Sequence, residues 1–175
     1  ILRAAADGKI DTLVLLGADP LADFPDRDLA ERGLAGARTV IALDQFLTES
    51  VKQAEVVLPV AGYAEVDGTT TNLEGRVILR RRATEPPAGA RSDIDILCQL
   101  ARRMGHEARF DYANSEAVFD ELRLATAGAR ADYSGMTYER LSADNGMFWP
   151  CPDTSHPGTP RLFSDGFPTA DGRAH

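Results

Sequence analysis

Apolar residues in this chain come in short bursts separated by polar, glycine-containing turns. Thr12–Leu16 (TLVLL), Thr39–Leu43 (TVIAL) and Val56–Pro59 (VVLP) are apolar runs of strand length, the pattern of strands buried on both faces. Helical stretches lie before and between them. Ile1–Ala6 ends at Asp7-Gly8, where glycine can take the left-handed closing conformation. Asp26 is placed to cap a helix from Arg27 to about Ala35, closed by Gly36, and Thr48 opens the short helix TESVKQA. Gly17–Asp26, with two prolines, predicts a loop. Strand, helix, strand, helix, strand predicts a parallel sheet, because each helix carries the chain back across one face.

The pattern then changes. Gly68–Asn72 and Glu74-Gly75 predict turns, Arg76–Leu79 a strand, and Pro86–Gly89 a rigid connector. Ser92 is expected to cap an amphipathic helix to about Met104, its apolar set being Ile94, Ile96, Leu97, Leu100 and Ala101. A helix over Ser115–Ala125 would turn Val118, Phe119, Leu122 and Leu124 inward. Beyond Tyr133 the chain is rich in Pro, Gly and Asp and predicts an irregular strap needing a neighbouring surface. The expected division is an α/β segment over 1–105 and a helical and irregular connector over 106–175.

Composition narrows the function classes. The net charge is -8, with 27 acidic and 19 basic residues, which disfavours a nucleic-acid binder. Arg80-Arg81-Arg82 reads as a solvated strand end. No apolar run reaches the ~18 residues that span a bilayer, so direct membrane insertion is not expected. A cytoplasmic location, or the cytoplasmic face of a membrane complex, is. Cys98 and Cys151 read as inert packing, and no CxxC or HxxxH spacing suggests a metal site. His106, His156 and His175 are scattered, and Glu65, Asp67 and Glu74 fall among turn residues, so no catalytic residue is expected. The chain lacks an initiator Met and opens inside a helical pattern, which suggests a piece of a longer protein.

Ligands of open parallel sheets bind beyond the carboxyl ends of the strands. Two such ends are Gly17-Ala18-Asp19-Pro20 and Asp44-Gln45-Phe46. Gly17 allows close backbone approach, and the Asp44 carboxylate can accept from ribose hydroxyls or a guanine edge. The same residues are common turn chemistry, this is neither GxGxxG nor a P-loop, and Asp19, Asp23 and Asp26 would repel a pyrophosphate unless turned away.

LVLLGADPLADFPD, DQFLTESVKQAEVVLPVAGYAEVDGTTTNLEGRV and PPAGARSDIDILCQLARRMG together resemble the molybdopterin oxidoreductase superfamily over residues 10–105. YERL, GMFWPCP, HPGTPRLF and FPTADGRA extend the likeness towards formate dehydrogenases and nitrate reductases. The resemblance implies a Rossmann-like parallel sheet with flanking helices, the family's third domain, followed by an irregular C-terminal strap towards a missing cofactor-binding domain. It implies that Gly17, Ala18 and Asp19 line the phosphate side of a bis-molybdopterin guanine dinucleotide, that Asp44 and Gln45 lie near its guanosine, and that Glu65 and Gly68 belong to a loop close to it. The molybdenum ligand and the cysteines of the iron–sulfur clusters would lie outside this stretch.

Asp19 stands where many cofactor-holding relatives have Asn. That feature resembles the molybdopterin-like large subunit of NADH-quinone oxidoreductase, which often lacks the cofactor. On it, a structural part of that NADH dehydrogenase, in electron transport from NADH to quinone, is the preferred expectation. A formate dehydrogenase alpha subunit or nitrate reductase is the alternative. The implied partners are the remaining domains of the same subunit and other subunits of a respiratory or formate/nitrate redox complex.

Overall fold

A computed structural model describes residues 1–143 and 145–175, which form two compact units. The first comprises residues 1–66 and 83–110, the second 67–82 and 111–175.

The first unit runs α1 (Leu2–Ala6), β1 (Thr12–Leu16), α2 (Pro20–Asp23), α3 (Arg27–Gly36), β2 (Thr39–Asp44) and β3 (Val56–Pro59), with a 3₁₀ turn at Val51–Gln53. The three strands make a parallel sheet in the order β1-β2-β3, with Leu13 opposite Val40 and Leu43 opposite Leu58. Side chains alternate across it. Leu13, Leu15, Val40 and Ala42 pack with Ala5 of α1 and Ala30 and Leu34 of α3. Ile41, Leu43 and Leu58 face the other way and meet Ile96 of α4 (Asp93–Arg103). Gly33 and Gly36 let α3 approach α1, since a Cβ on Gly36 would sit 2.3 Å from the Ala5 carbonyl oxygen. The capping expectations hold: Asp26 Oδ1 accepts from Leu29 N, and Ser92 Oγ from Asp95 N.

Three expectations are corrected here. Pro20–Asp23 is a helical turn, with Pro20 at its first position where a missing N–H costs nothing. The helix expected from Thr48 is a 3₁₀ turn, although Thr48 Oγ1 does accept from Val51 N. β1 is buried on one face only: Val14 and Leu16 are 45% and 49% exposed.

The second unit pairs β4 (Gly68–Thr71) antiparallel with β5 (Arg76–Arg80), which also pairs with β6 (Met147–Phe148). Gly68–Thr71 is thus a strand, where Gly and Asn predict a turn; the Thr side chains suit a pleated ribbon. The turn lies at Asn72–Gly75, where Asn72 Oδ1 accepts from Glu74 N and Arg76 N. α5 (Ser115–Ala125) and α6 (Tyr138–Ala143) supply Phe119, Tyr138 and Leu141 to a core with Val77, Met136, Met147 and Cys151. Of the residues expected inward on α5, Phe119 is buried, but Leu124 is 80% exposed. Asp132 is buried and accepts from Ser134 and Gly128, which holds its carboxyl below the usual range against the opposing effect of burial.

Candidate functional site

The parallel register brings the carboxyl ends of all three strands to one crest of the first unit. Gly17 ends β1 with φ +55°, and its N–H donates to Leu43 O at 2.8 Å, which fixes the first turn beside Asp44. A Cβ at Gly17 would meet nothing within 4 Å, so the requirement for glycine there is the backbone angle and not crowding. Gly17 and Ala18 are exposed.

Asp19 is half-buried, and Oδ1 accepts from Ser50 Oγ at 2.5 Å. Ser50 is wholly buried and its Oγ accepts from Leu21 N at 3.0 Å. The carboxylate is therefore drawn onto an internal hydroxyl, so its charge is directed away from the Gly17-Ala18 turn. Sequence reasoning misses Ser50 because Thr48-Glu49-Ser50 reads as helix-start chemistry. Its signal is a second hydroxyl two residues after the first, which a short turn has no further use for.

Asp44 ends β2, and its Oδ1 accepts from Phe46 N at 2.9 Å, a local turn that leaves Gln45, Phe46 and Leu47 exposed. Gly62 follows β3. A Cβ on it would lie 2.8 Å from Gln45 Oε1, and its N–H donates to Glu65 Oε2 at 2.6 Å. Gln45, Gly62 and Glu65 thus form one contact group, with Tyr63 exposed beside it. Gln45 and Glu65 are expected from the sequence; Gly62 is not. Gly68 lies in the second unit, opposite Arg80 in the β4–β5 ladder.

The crest suits a nucleotide. Asp44 offers acceptors and Gln45 both donor and acceptor, the set that a guanine edge or ribose hydroxyls require. Glycines at Gly17 and Gly62 keep the backbone accessible. Among the described residues no group of three or more His, Cys, Asp or Glu could hold a metal ion, and no helix is long and apolar enough to cross a membrane.

We expect Ser50→Ala to leave the Leu21 amide and the Asp19 carboxylate without their shared partner. A lost buried bond of this kind costs about 2 kcal/mol, or roughly 30-fold faster exchange of the Leu21 amide. Residue-resolved hydrogen exchange on the full-length subunit measures it.

Comparison with known proteins places these elements in a wider set. The family model described as molybdopterin oxidoreductase matches residues 1–103. The chain is 42% identical over 168 residues to the assimilatory nitrate reductase catalytic subunit of Bacillus subtilis, covering 96% of this chain and 24% of that protein. It is 42% identical over 165 residues to the F420-dependent formate dehydrogenase subunit alpha of Methanocaldococcus jannaschii, covering 94% and 24%. It is 39% identical over 145 residues to an NADH-quinone oxidoreductase subunit of Rhizobium meliloti, covering 82% and 16%. The acetylene hydratase of Pelobacter acetylenicus superposes with a TM-score of 0.67 at 22% identity, over 84% of this chain and 20% of that one, a likeness of fold. The chain therefore spans about a quarter of the length of the nitrate reductase and formate dehydrogenase relatives.

Proposed function

Since the chain belongs to the molybdopterin oxidoreductase family, we propose that its first unit holds the guanosine end of a bis-molybdopterin guanine dinucleotide in the catalytic subunit of a nitrate reductase or formate dehydrogenase. The observation that carries this reading is the Asp19–Ser50 hydrogen bond. An aspartate beside a pyrophosphate is otherwise a reason to expect no cofactor, because a carboxylate only accepts hydrogen bonds and carries like charge. With its charge drawn inward, that objection loses its force.

The extent of the likenesses supports the same branch. Those to the nitrate reductase and formate dehydrogenase cover 96% and 94% of this chain, and that to the NADH-quinone oxidoreductase subunit 82%. This favours a nitrate reductase or formate dehydrogenase over the NADH-quinone oxidoreductase expectation drawn from Asp19.

In this reading Gly17 and Ala18 offer backbone to the phosphates, Asp44 accepts from the guanine edge, and Gln45 and Glu65 flank the ribose side. The bound group supplies two-electron redox chemistry, and its metal ligand comes from outside residues 1–175. The residues of this chain bind and orient; none carries a proton in the reaction. Gly68 is proposed to belong to the loop surface near the cofactor, and other subunits of a redox complex are proposed as partners.

Asp44→Ala in the full-length subunit tests the assignment. Loss of a charge-assisted bond costs about 1.5–3 kcal/mol, so guanine-cofactor affinity should fall roughly 10- to 150-fold. The readout is guanosine nucleotide released by acid from the purified variant. Full retention of the nucleotide would remove Asp44 from the site.

A further inference from the structure

β1 stands at the edge of the sheet, and among the described residues β2 is its only partner strand. Its residues divide sharply. Gly17 N donates to Leu43 O, and Thr39 N donates to Asp11 O, so the odd-numbered residues of this stretch turn their backbone groups towards β2. Thr12, Val14 and Leu16 consequently aim N–H and C=O at the open edge. That edge carries none of the usual protections: no proline, no charged side chain and no bulge within TLVLL.

The adjoining sheet face is also uncovered. α4 reaches Leu43 through Ile96. Val14, Leu16 and Val56 remain 42–49% exposed. Val14, Ile41, Val56, Leu58, Leu97 and Leu100 line an apolar cleft of about 510 Å³ on this side.

Chain direction says what belongs there. α1 and α3 pack on the same face of the sheet, against Leu13, Leu15, Val40 and Ala42. The β1–α3–β2 connection advances from β1 towards β2. Parallel crossovers are right-handed in about 98% of cases. A helix on that same face, leading into β1, must therefore come from a strand on the far side of β1 from β2. α1 is that helix, so its feeding strand lies beyond the open edge. Relatives about four times as long as this chain leave ample sequence to supply it.

We propose that in the full-length subunit the open edge of β1 is filled by a further parallel strand from the part of the subunit N-terminal to Ile1. β1 is then an interior strand, and the continuous apolar run TLVLL suits that place better than an edge. This strand addition is independent of any bound cofactor.

Residue-resolved hydrogen exchange on the full-length subunit, at concentrations where it is monomeric, tests it directly. The Val14 and Leu16 amides should exchange within about tenfold of Leu13 and Leu15, which donate to β2, and at least about a thousandfold slower than free peptide. Val14 and Leu16 exchanging at the rate of open backbone, with Leu13 and Leu15 protected, would overturn the proposal. So would protection that appears only where the subunit self-associates, since that assigns the edge to a second copy. Neither result bears on the guanosine assignment, which is read from released nucleotide.

Discussion

Gly135→Ala will disrupt the second unit more than any other single-methyl addition in that unit. A Cβ on Gly135 would lie 2.0 Å from the Asp153 carbonyl oxygen and 2.7 Å from that of Cys151. Both obstacles are backbone, which cannot swing aside as a side chain can. The Gly135 N–H donates to Cys151 O at 2.7 Å, so the two segments cannot separate without losing that bond. Arg140 binds the same knot, donating to Gly135 O at 2.5 Å and to His156 O at 2.7 Å. Forcing the segments apart by about 1 Å strains the packing and breaks bonds to a charged donor, each worth about 1.5–3 kcal/mol. The total exceeds about 3 kcal/mol, at the severe end for one substitution. Limited proteolysis of the full-length subunit should show faster cleavage within residues 130–160. Thr154→Ala, an exposed neighbour, should leave cleavage unchanged.

Gly36→Leu should have an effect of similar size in the first unit. Its Cβ alone would sit 2.3 Å from Ala5 O and 2.9 Å from the Ala6 Cα, and the rest of the leucine has no space to enter. α1 must then lift from α3, exposing Ala5 and the ends of Leu13 and Leu15, which share its cluster. Overpacking of this kind typically costs about 1–3 kcal/mol and more where backbone is the obstacle. α1 has only five residues, too few to hold as a helix without that packing. Hydrogen exchange should therefore show the Ala5 and Asp7 amides unprotected. Ala35→Leu, on the exposed side of the same helix, is the control.

Parts of this fold are legible in the sequence because local chemistry decides them. The three parallel strands and the capping residues Asp26 and Ser92 need only a few neighbouring positions to specify them. Gly68–Thr71 misleads because glycine and a following Asn signal a turn, whereas pairing with Arg76–Arg80 decides the outcome. Leu124 misleads because helical periodicity gives an apolar face without saying how much of it finds a partner. Ser50 is not legible at all: its importance is a contact with Asp19, 31 residues away. Gly36 is legible as a helix end, but its close approach to α1 is a tertiary fact. The candidate site follows the same division. Gly17 and Asp44 follow from strand ends, while Gly62 enters only through its contacts with Gln45 and Glu65.

Asp19 is the residue on which the functional reading turns, since its type argues against a pyrophosphate and its bonding to Ser50 argues for tolerance of one. The most direct measurement is the molybdenum and guanosine nucleotide content of the purified full-length subunit. Stoichiometric molybdenum, with close to two guanosine nucleotides released per metal, is the expected result. Absence of both from a folded subunit, together with NADH-dependent electron flow in its assembled complex, would contradict the guanosine-holding role.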